Sequence, residues 1–238
     1  YRANADNTIS NAFQSNLRTR GTGANCGEAD VLEVFSVYGR RFVSGANGDG
    51  TQESSELSRI IINFPIADMV TDRANGKIAA SGSVTWWLRL YNAQTSKTVP
   101  KDYKLVVFPV SQSWQEGDGL DLEGYKDQTK DGIGSNWINA SSGTTWKSLG
   151  EPGVSQYEVV GGSYMTGTLS DGGGVPTYEQ SFSTGLEDLK IDISDLVEKW
   201  IAEDIDRNGV GIHLSASYEA YFSSSQGIGK RSGSVPDN

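Results

Sequence analysis

The residues best suited to chemistry in this chain form a short acidic run. Asp204, Asp206 and Asn208 offer oxygen ligands at alternate positions, and Gly209 takes the sixth position, as at the start of a calcium-binding loop. The twelfth position of such a loop needs a bidentate glutamate, but here it is Ser215. The run therefore predicts either a weak calcium site or, with no metal, a helix exit followed by an Asn-Gly turn.

Groups for covalent or acid–base catalysis are scarce. A nucleophile needs a base beside it, and the only histidine, His213, is expected to be a solvated or hydrogen-bonded strand residue. Four carboxylates that might form a glycosidase pair lie close together in one Gly-rich stretch: Asp118, Asp121, Glu123 and Asp127. A catalytic pair generally comes from separate elements around a cleft, whereas neighbouring carboxylates in such a loop are usually solvated. We therefore predict that the protein is not an enzyme.

Tryptophan side chains offer a different chemistry, because aromatic faces can stack on sugar rings. Adjacent Trp86 and Trp87 point to opposite faces of a strand, so at least one of them is expected in the core. Trp200 lies on the apolar face of a predicted helix and is expected to pack there. Trp87, Trp137 and Trp146 are left as candidates for a ligand or partner contact, with core packing or a subunit contact as the alternative.

Composition narrows the classes of partner. The chain has 20 Lys and Arg against 30 Asp and Glu, a net charge of -10, and no basic cluster to contact phosphates, so no nucleic-acid partner is predicted. It has no run of about 18 apolar residues, so no membrane span is expected. The single cysteine, Cys26, cannot form an internal disulfide. Calcium is the one cofactor that the sequence suggests.

The elements that must position these residues are mainly strands. Apolar residues alternate in Leu189–Ile193 and again in Val210–Leu214, which places them on one sheet face in each segment. Four apolar side chains between these segments repeat at helical spacing and predict one short helix near residues 194–204, capped by Asp192 or Ser194: Leu196, Val197, Trp200 and Ile201. A lone helix among strands indicates an all-β sandwich rather than an α/β enzyme.

Other segments extend this pattern along the chain. Five more have strand composition: Thr8–Phe13, Val31–Tyr38, Arg59–Phe64, Ser83–Tyr91 and Tyr103–Val110. The last two are joined by a connection too short for a crossover helix, so we expect them to pair antiparallel. Residues 39–55 are expected to form a loop, residues about 115–175 a long irregular excursion, and residues about 223–238 a polar C-terminal tail. We predict one domain over residues 1–238.

Several of these segments also carry short motifs in a recognisable order. They are Ala5–Ile9 (ADNTI), Ser58–Asp68 (SRIIINFPIAD), Leu88–Tyr91 (LRLY), Val107–Gly117 (VFPVSQSWQEG), Ile191–Val197 (IDISDLV) with Trp200, and Asn208–Gly211 (NGVG). Their order and spacing resemble the DNRLRE-type domain, a jelly-roll β-sandwich found on bacterial surface proteins, polysaccharide-acting enzymes and phage particles. Three further segments are similar to virion structural proteins of tailed, cyanophage-like phages: Ser135–Ala140, Leu196–Ile201 and Glu219–Ser225.

The resemblance implies a jelly-roll-type β-sandwich and a non-enzymatic structural protein of a tailed-phage virion. Such a protein would be located in the phage particle in multiple copies, packed on capsid, neck or tail proteins. The family usually adds a closing strand at the C-terminus, which the sequence lacks after Phe222, so an edge is expected to be open to a partner's strand. The alternative is a carbohydrate-binding module on a surface or adhesion protein.

Overall fold

The structure, a computed structural model, describes residues 1–14, 19–43, 50–96, 98–120, 134–147, 161–219, 221–223 and 229–231. Its strands are β1 (Ala5–Ser10), β2 (Ser36–Val43), β3 (Gly50–Asn63), β4 (Trp87–Leu90), β5 (Tyr103–Pro109), β6 (Asn139–Ser141), β7 (Thr144–Thr145), β8 (Tyr178–Phe182), β9 (Leu189–Asp192), β10 (Val210–Leu214), β11 (Tyr221–Ser223) and β12 (Gly229–Arg231). Its helices are α1 (Ile66–Ala74), α2 (Ser194–Ala202) and α3 (Ala216–Glu219). Strands dominate and helices are few, so the all-β prediction is confirmed.

The main sheet is antiparallel and has the strand order β1-β3-β10-β5-β8. β3 is its longest strand: residues 58–63 pair with β1, and residues 50–57 pair with β2. β10 pairs with both β3 and β5, which places it in the middle of the sheet. Separate two-stranded sheets are formed by β4 with β9, β6 with β7, and β11 with β12.

Alternation along β3 sends its apolar residues to two cores, because successive side chains of a strand point to opposite faces. Ile60 and Ile62 belong to the first core, and Ile61 belongs to the second. Across the first core, the main sheet faces the β4–β9 sheet and the helices α1 and α2, which contribute residues such as Leu88, Ile191 and Trp200. In the second core, the opposite face of the main sheet is covered by residues of the 134–147 segment.

The predicted helix near residues 194–204 is confirmed as α2. It buries Leu196, Val197 and Trp200 on one side, as the spacing predicted. The predicted cap at Asp192 or Ser194 is wrong, because the N-cap residue is Ile193 and it has no side-chain cap hydrogen bond; the Asp192 carboxylate instead accepts a hydrogen bond from the Ser194 N–H at 2.9 Å. The helix ends at Ala202, and the next residue, Glu203, caps it in a left-handed conformation (φ 64°).

The expectation of a single helix is wrong, because α1 and α3 are also present. In α1, Ile66 and Met69 are buried three positions apart, and Asp68 lies in the first turn. Pro65 directly precedes the helix, at a position where its missing N–H costs no helical hydrogen bond. Pro65 thus separates the end of β3 at Asn63 from the start of α1 at Ile66.

The expected pairing of the segments at 83–91 and 103–110 is also wrong. Their strands, β4 and β5, lie in different sheets: β4 pairs with β9, and β5 pairs with β10 and β8. The connection between β4 and β5 is too short for the helix of a parallel crossover, which is why we expected an antiparallel pair. It is nevertheless long enough to carry the chain from one sheet of the sandwich to the other. The loop expected at residues 39–55 is likewise occupied by the ends of β2 and β3, apart from residues 44–49, which lie outside the described residues.

Where the structure describes it, the excursion at about 115–175 packs against both cores, with Met165 and Leu169 on the first. Residues 134–147 supply Trp137, Ala140 and Trp146 to the second core, and Tyr164 packs against the same core. Residues 121–133 and 148–160 lie outside the described residues. In the predicted tail, β12 pairs with β11, whereas residues 224–228 and 232–238 are outside the description. The single-domain organisation stays a prediction.

Candidate functional site

One edge of β4 has no partner strand among the described residues. β4 pairs with β9 in the register Trp87↔Asp192 to Leu90↔Leu189, and the Ile193 N–H donates to the Trp86 carbonyl at 2.8 Å. Because antiparallel pairs alternate, the N–H and C=O groups of residues 88 and 90 then point to β9. Those of residues 87 and 89 point away from it. We call this side the β4 edge.

The opposite edge of the same small sheet is protected. The Lys190 N–H, which points away from β4, donates to the side-chain oxygen of Gln180 at 2.8 Å. The Gln180 amide nitrogen donates in turn to the Asp188 carbonyl at 2.9 Å. One side-chain amide thus occupies the backbone groups that a further strand would need on this side. The β4 edge is therefore the accessible one of the two.

An apolar groove runs beside the β4 edge. Two cavities, of about 740 and 440 Å³, lie next to each other and share Asp6, Leu32, Leu90 and Tyr91 in their walls. Main-sheet residues of the first core form part of the larger cavity: Ile60, Leu105 and Ile212. We call the joined space the β4 groove. Its larger part has the size and apolar lining of a typical ligand cleft.

The second wall of the β4 groove is the segment at residues 29–37, where a strand was expected from Val31 to Tyr38. Only the part from Ser36 onwards is strand. Before it, the Glu33 N–H donates to the Thr8 hydroxyl at 3.0 Å, and the Phe35 N–H donates to the Ser58 hydroxyl at 2.8 Å. The wall is therefore held partly by side chains of β1 and β3, which replace ladder hydrogen bonds.

A carboxyl group lies at the junction of the two cavities. The backbone N–H of Asp6 donates to the Glu116 carboxylate at 2.8 Å. Burial raises the pKa of the Asp6 side chain, and the nearby negative charge of Glu116 raises it further. Asp6 thus provides an acceptor, and when protonated also a donor, at the point where the two parts of the groove meet.

The surface of the small sheet that faces away from the first core carries aromatic and basic side chains. We call it the outer face. Trp87 and Tyr91 are 50% and 73% exposed there. Lys190 Nζ lies 4.7 Å from the centre of the Trp87 ring, and the Arg89 guanidinium carbon lies 5.9 Å from the centre of the Tyr91 ring. Both distances are in the range of cation–π contacts.

The three tryptophans predicted as ligand or partner contacts have different surroundings. Trp137 and Trp146 are 0% and 2% exposed and lie in the second core. The Trp146 indole N–H donates to the Asn136 carbonyl at 2.8 Å, so its polar atom is also satisfied within the chain. Neither ring is open to a ligand in this structure, because the chain's own excursion and main sheet cover both. Trp87 is exposed, and a ligand contact there stays a prediction.

The calcium candidate lies in the turn between α2 and β10. Asp204 and Asp206 are exposed, and the Asn208 carbonyl accepts a hydrogen bond from the Trp114 indole at 2.9 Å. Gly209 has φ 82°, as the Asn-Gly turn predicted. No group of three His, Cys, Asp or Glu side chains is placed to hold a metal ion in the part of the chain that the structure describes. A calcium site that also uses Asn208 stays a prediction.

His213 belongs to a cluster that the sequence did not indicate. Its ring packs against those of Phe108 and Tyr164, with centroid distances of 5.4 and 5.5 Å. Burial lowers the pKa of His213, and the positive charge of Arg59 lowers it further, while Glu219 opposes the shift. Arg59 forms a two-point ion pair with Glu219, at 3.0 and 2.7 Å. The cluster holds α3 against the main sheet.

Of the four carboxylates considered for glycosidase chemistry, only Asp118 falls within the described residues, and it is exposed. Asp121, Glu123 and Asp127 lie outside them. Among the helices of the described residues, none is long and apolar enough to cross a membrane.

Comparison with known proteins found no family model, no curated protein and no solved structure that matches this chain.

Proposed function

We propose that this protein is a non-enzymatic structural protein of a tailed-phage virion that joins neighbouring particle proteins by accepting a strand at the β4 edge. The observation that carries the proposal is the open β4 edge beside an apolar groove. An exposed strand edge is a template for pairing with another chain. Together, edge and groove suit β-strand addition, in which backbone hydrogen bonds supply affinity and side-chain pockets supply specificity.

The chemistry of the guest follows from this geometry. Its backbone would bond to the outward N–H and C=O groups of Trp87 and Arg89, and alternate side chains would enter the β4 groove. A strand of about 5–6 residues, roughly 17–20 Å long, is typical of such an element. Because the groove is lined by residues such as Leu32, Ile60 and Leu90, the inward side chains should be apolar.

We also propose that the sandwich is of the jelly-roll type. Two observations support this topology: the main sheet and the small β4–β9 sheet face each other across the first core, and several family-like motifs occupy their strands. A guest strand would widen the small sheet from two strands to three. The phage assignment rests on the sequence resemblance, and the multiple copies that it implies would each present one β4 edge.

A proline at position 89 tests strand addition. Because the Arg89 N–H points away from β9, Arg89→Pro removes a donor from the open edge and leaves the β4–β9 ladder bonded. We expect the unchanged protein and Arg89→Ala, which keeps the N–H, to enter phage particles, and Arg89→Pro to be excluded. Particle content is measured by mass spectrometry of purified virions, with urea unfolding as a check on folding.

Two outcomes would contradict the proposal. Normal incorporation of Arg89→Pro would show that assembly does not use the β4 edge. Absence of the unchanged protein from purified particles would rule out a virion role altogether.

A carbohydrate-binding module is the second candidate, because Trp87 and Tyr91 are exposed aromatic residues at the small sheet. Affinity electrophoresis on host polysaccharides tests it: a binding module should be retarded, and Trp87→Ala should abolish the retardation without loss of folding. Migration unchanged by every polymer would exclude this candidate.

A further inference from the structure

The strand β4 itself meets the requirements of the β4 edge for a guest. It offers backbone groups at Trp87 and Arg89 that have no partner strand among the described residues. Its inward side chains are apolar: Leu88 is buried in the first core, and Trp86 and Leu90 pack against that core. A second copy of this chain therefore carries a strand of the kind that the β4 edge and groove require.

The hydrogen-bonding pattern of β4 restricts how two copies can pair. Identical strands can pair antiparallel about a two-fold axis, so that each copy contributes the same residues to the interface. Because the backbone groups of Leu88 point to β9, a two-fold axis at Leu88 makes Trp87 of each copy form a hydrogen-bonded pair with Arg89 of the other. Each of these two pairs exchanges two N–H···O=C bonds, and the resulting sheet has the strand order β9-β4-β4-β9.

The side chains of the outer face favour this axis over its neighbours. Trp87 and Arg89 are exposed, and directly opposite residues have Cβ atoms about 4.5–5.5 Å apart, so each guanidinium can lie over the indole ring of the second copy. Lys190, whose Nζ lies 4.7 Å from the centre of the same ring, comes from β9, on the other side of β4. An axis at Arg89 would instead place two guanidinium groups directly opposite each other, which destabilises a strand pair. An axis at Trp87 or Leu90 would carry more of the pairing beyond the ends of β4.

The charges of the outer face permit two such edges to approach. Asp188 and Asp192 alternate with Lys190 along β9 and its approach, so the three side chains share one face, and both carboxylates are exposed. Together with Arg89, this face has two cations and two carboxylates and is neutral in sum. The net charge of -10 therefore arises elsewhere on the chain, where salt screens the repulsion between two copies.

The inward side of the paired strands is apolar. Leu88 would lie opposite its counterpart in the second copy, and Leu90, which lines both parts of the β4 groove, would lie opposite Trp86. This contact removes apolar surface of the groove from water, which favours association. An interface built on one short strand buries less than about 1,200 Å², the range of weak and transient pairs. The association should therefore be reversible and depend on concentration.

We propose that the guest of the β4 edge is the β4 strand of a second copy, paired antiparallel about a two-fold axis at Leu88. The inference rests on the proposed strand addition and names its partner. A charged residue on an open edge often prevents pairing with another chain. Here Trp87 of the second copy lies opposite Arg89 and makes the cation an attractive contact.

Sedimentation velocity over a series from about 1 μM to 1 mM, the range of weak association, tests the pairing. The unchanged protein should change from monomer to dimer as its concentration rises. Arg89→Pro removes one edge N–H from each copy and should stay monomeric. Arg89→Ala keeps every backbone hydrogen bond but loses both guanidinium–indole contacts, so it should raise the dissociation constant about tenfold, and Trp87→Ala should do the same.

Matched variants away from the β4 edge serve as controls. Lys77→Ala removes another exposed cation, and Leu120→Ala removes another exposed apolar side chain. Both should dimerise like the unchanged protein, and urea unfolding curves check that every variant is folded. In the unchanged protein, the amides of Trp87 and Arg89 should exchange quickly in dilute solution and slowly at concentrations where the dimer forms.

Two cysteine variants test the position of the axis. In a mixture of Trp87→Cys and Arg89→Cys, the new thiols lie directly opposite each other, and the Arg89 and Trp87 that remain still form one contact. Oxidised glutathione should therefore link the mixture into a disulfide-bonded dimer. Neither variant alone should be linked, because its two thiols are two residues out of register. Cys26 is buried and does not compete.

The remaining outcomes separate the inference from the function on which it rests. A protein that stays monomeric at every concentration, while Arg89→Pro is lost from particles, would overturn self-pairing and keep strand addition with a guest from another protein. A dimer that survives Arg89→Pro would place the contact elsewhere and overturn the inference. Linkage of Arg89→Cys to itself would overturn the axis at Leu88. Loss of the dimer in Arg89→Pro without loss from particles would support self-pairing and contradict the role of the β4 edge in assembly.

Discussion

At the scale of single residues, the tryptophans differ in where the indole N–H finds an acceptor. The Trp114 and Trp146 N–H groups donate to backbone carbonyls, and the Trp86 N–H donates to the Glu198 carboxylate. The Trp200 N–H is buried without an acceptor among the described residues. A buried polar group without a partner loses its hydration and gains nothing in return.

This difference predicts unequal effects of the same substitution. Trp146→Phe and Trp200→Phe remove similar volumes from the two cores, but only Trp146→Phe leaves a carbonyl, that of Asn136, without its donor. We expect Trp146→Phe to destabilise the protein by about 1–3 kcal/mol more than Trp200→Phe. Urea unfolding measures the stability of both variants. Equal losses of stability would show that the hydrogen bond of Trp146 contributes nothing beyond packing.

A second residue-scale prediction concerns the ion pair of Arg59 and Glu219, whose side chains are mostly buried. Removing one partner leaves a buried charge uncompensated, so Glu219→Gln should cost about 3–5 kcal/mol in the free energy of unfolding. The exposed pair of Lys104 and Glu179 is the control, and Glu179→Gln should cost less than about 1 kcal/mol. A similar small effect in both variants would show that the buried pair does not hold α3 in place.

At the scale of elements, the two longer helices are joined by one carboxylate. Glu198 of α2 accepts hydrogen bonds from Arg73 of α1, one of them at 2.7 Å, and from the Trp86 indole before β4. Hydrogen bonds from Arg73, Trp86 and Ser81 and the positive charge of Arg73 outweigh the effect of burial and lower the pKa of Glu198 from its ordinary value of 4.5 to about 2. This residue therefore couples α1, α2 and the start of β4.

The lowered pKa predicts how stability depends on pH. A carboxyl whose pKa is lower in the folded state stabilises the protein fully above its unfolded pKa, and this stabilisation is lost as the pH falls toward the folded value. Between about pH 5 and pH 2, the unchanged protein should therefore lose more stability than Glu198→Gln. Urea midpoints across this range test the prediction, with Glu203→Gln as the exposed control. Parallel curves for protein and variant would contradict it.

The turn after α2 provides another prediction at this scale. Hydrogen bonds within the chain hold this turn. The Arg207 guanidinium donates to the Trp200 carbonyl at 2.8 Å, and the Trp114 indole N–H donates to the Asn208 carbonyl. We expect the melting temperature to be unchanged by calcium or by a chelator. A rise with calcium that Asp206→Asn abolishes would instead establish the site at Asp204, Asp206 and Asn208.

At the scale of the whole molecule, β3 connects the two cores. Ile61 pairs with Asn7 of β1 and with Gly211 of β10, and its side chain is fully buried. The small β4–β9 sheet has no comparable support, because one of its edges is open. The middle of the main sheet is thus paired on both sides, whereas the β4–β9 sheet has an open edge that is available to a partner strand.

Hydrogen exchange should reveal this difference between the middle of the main sheet and the β4 edge. Amides with two strand neighbours open only in large unfolding events, whereas unpaired amides exchange readily. We expect the Ile61 amide to be among the slowest to exchange and those of Trp87 and Arg89 to be among the fastest. Strong protection of Trp87 and Arg89 in the isolated protein would show that the β4 edge is already occupied.

Most of the local elements and the scarcity of catalytic groups were predictable from patterns within the chain. The alternation around β9 and β10, the helical spacing of α2 and the Asn-Gly turn at Gly209 were all predictable, because each depends on neighbours in the chain. Alternation along β4 likewise places Trp87 and Arg89 on one face. Among the longer elements, α1 and β8 were overlooked, and the parts of β2 and β3 within residues 39–55 were expected to be a loop.

The contacts between elements that are distant in the chain were not predictable in this way. Local periodicity fixes the face on which a side chain lies, but not the strand or segment that covers it. The pairing of β4 with β9, the open β4 edge and the position of Lys190 opposite Arg89 therefore required the fold. The burial of Trp137 and Trp146 required it too, because a polar excursion closed over the second face of the main sheet.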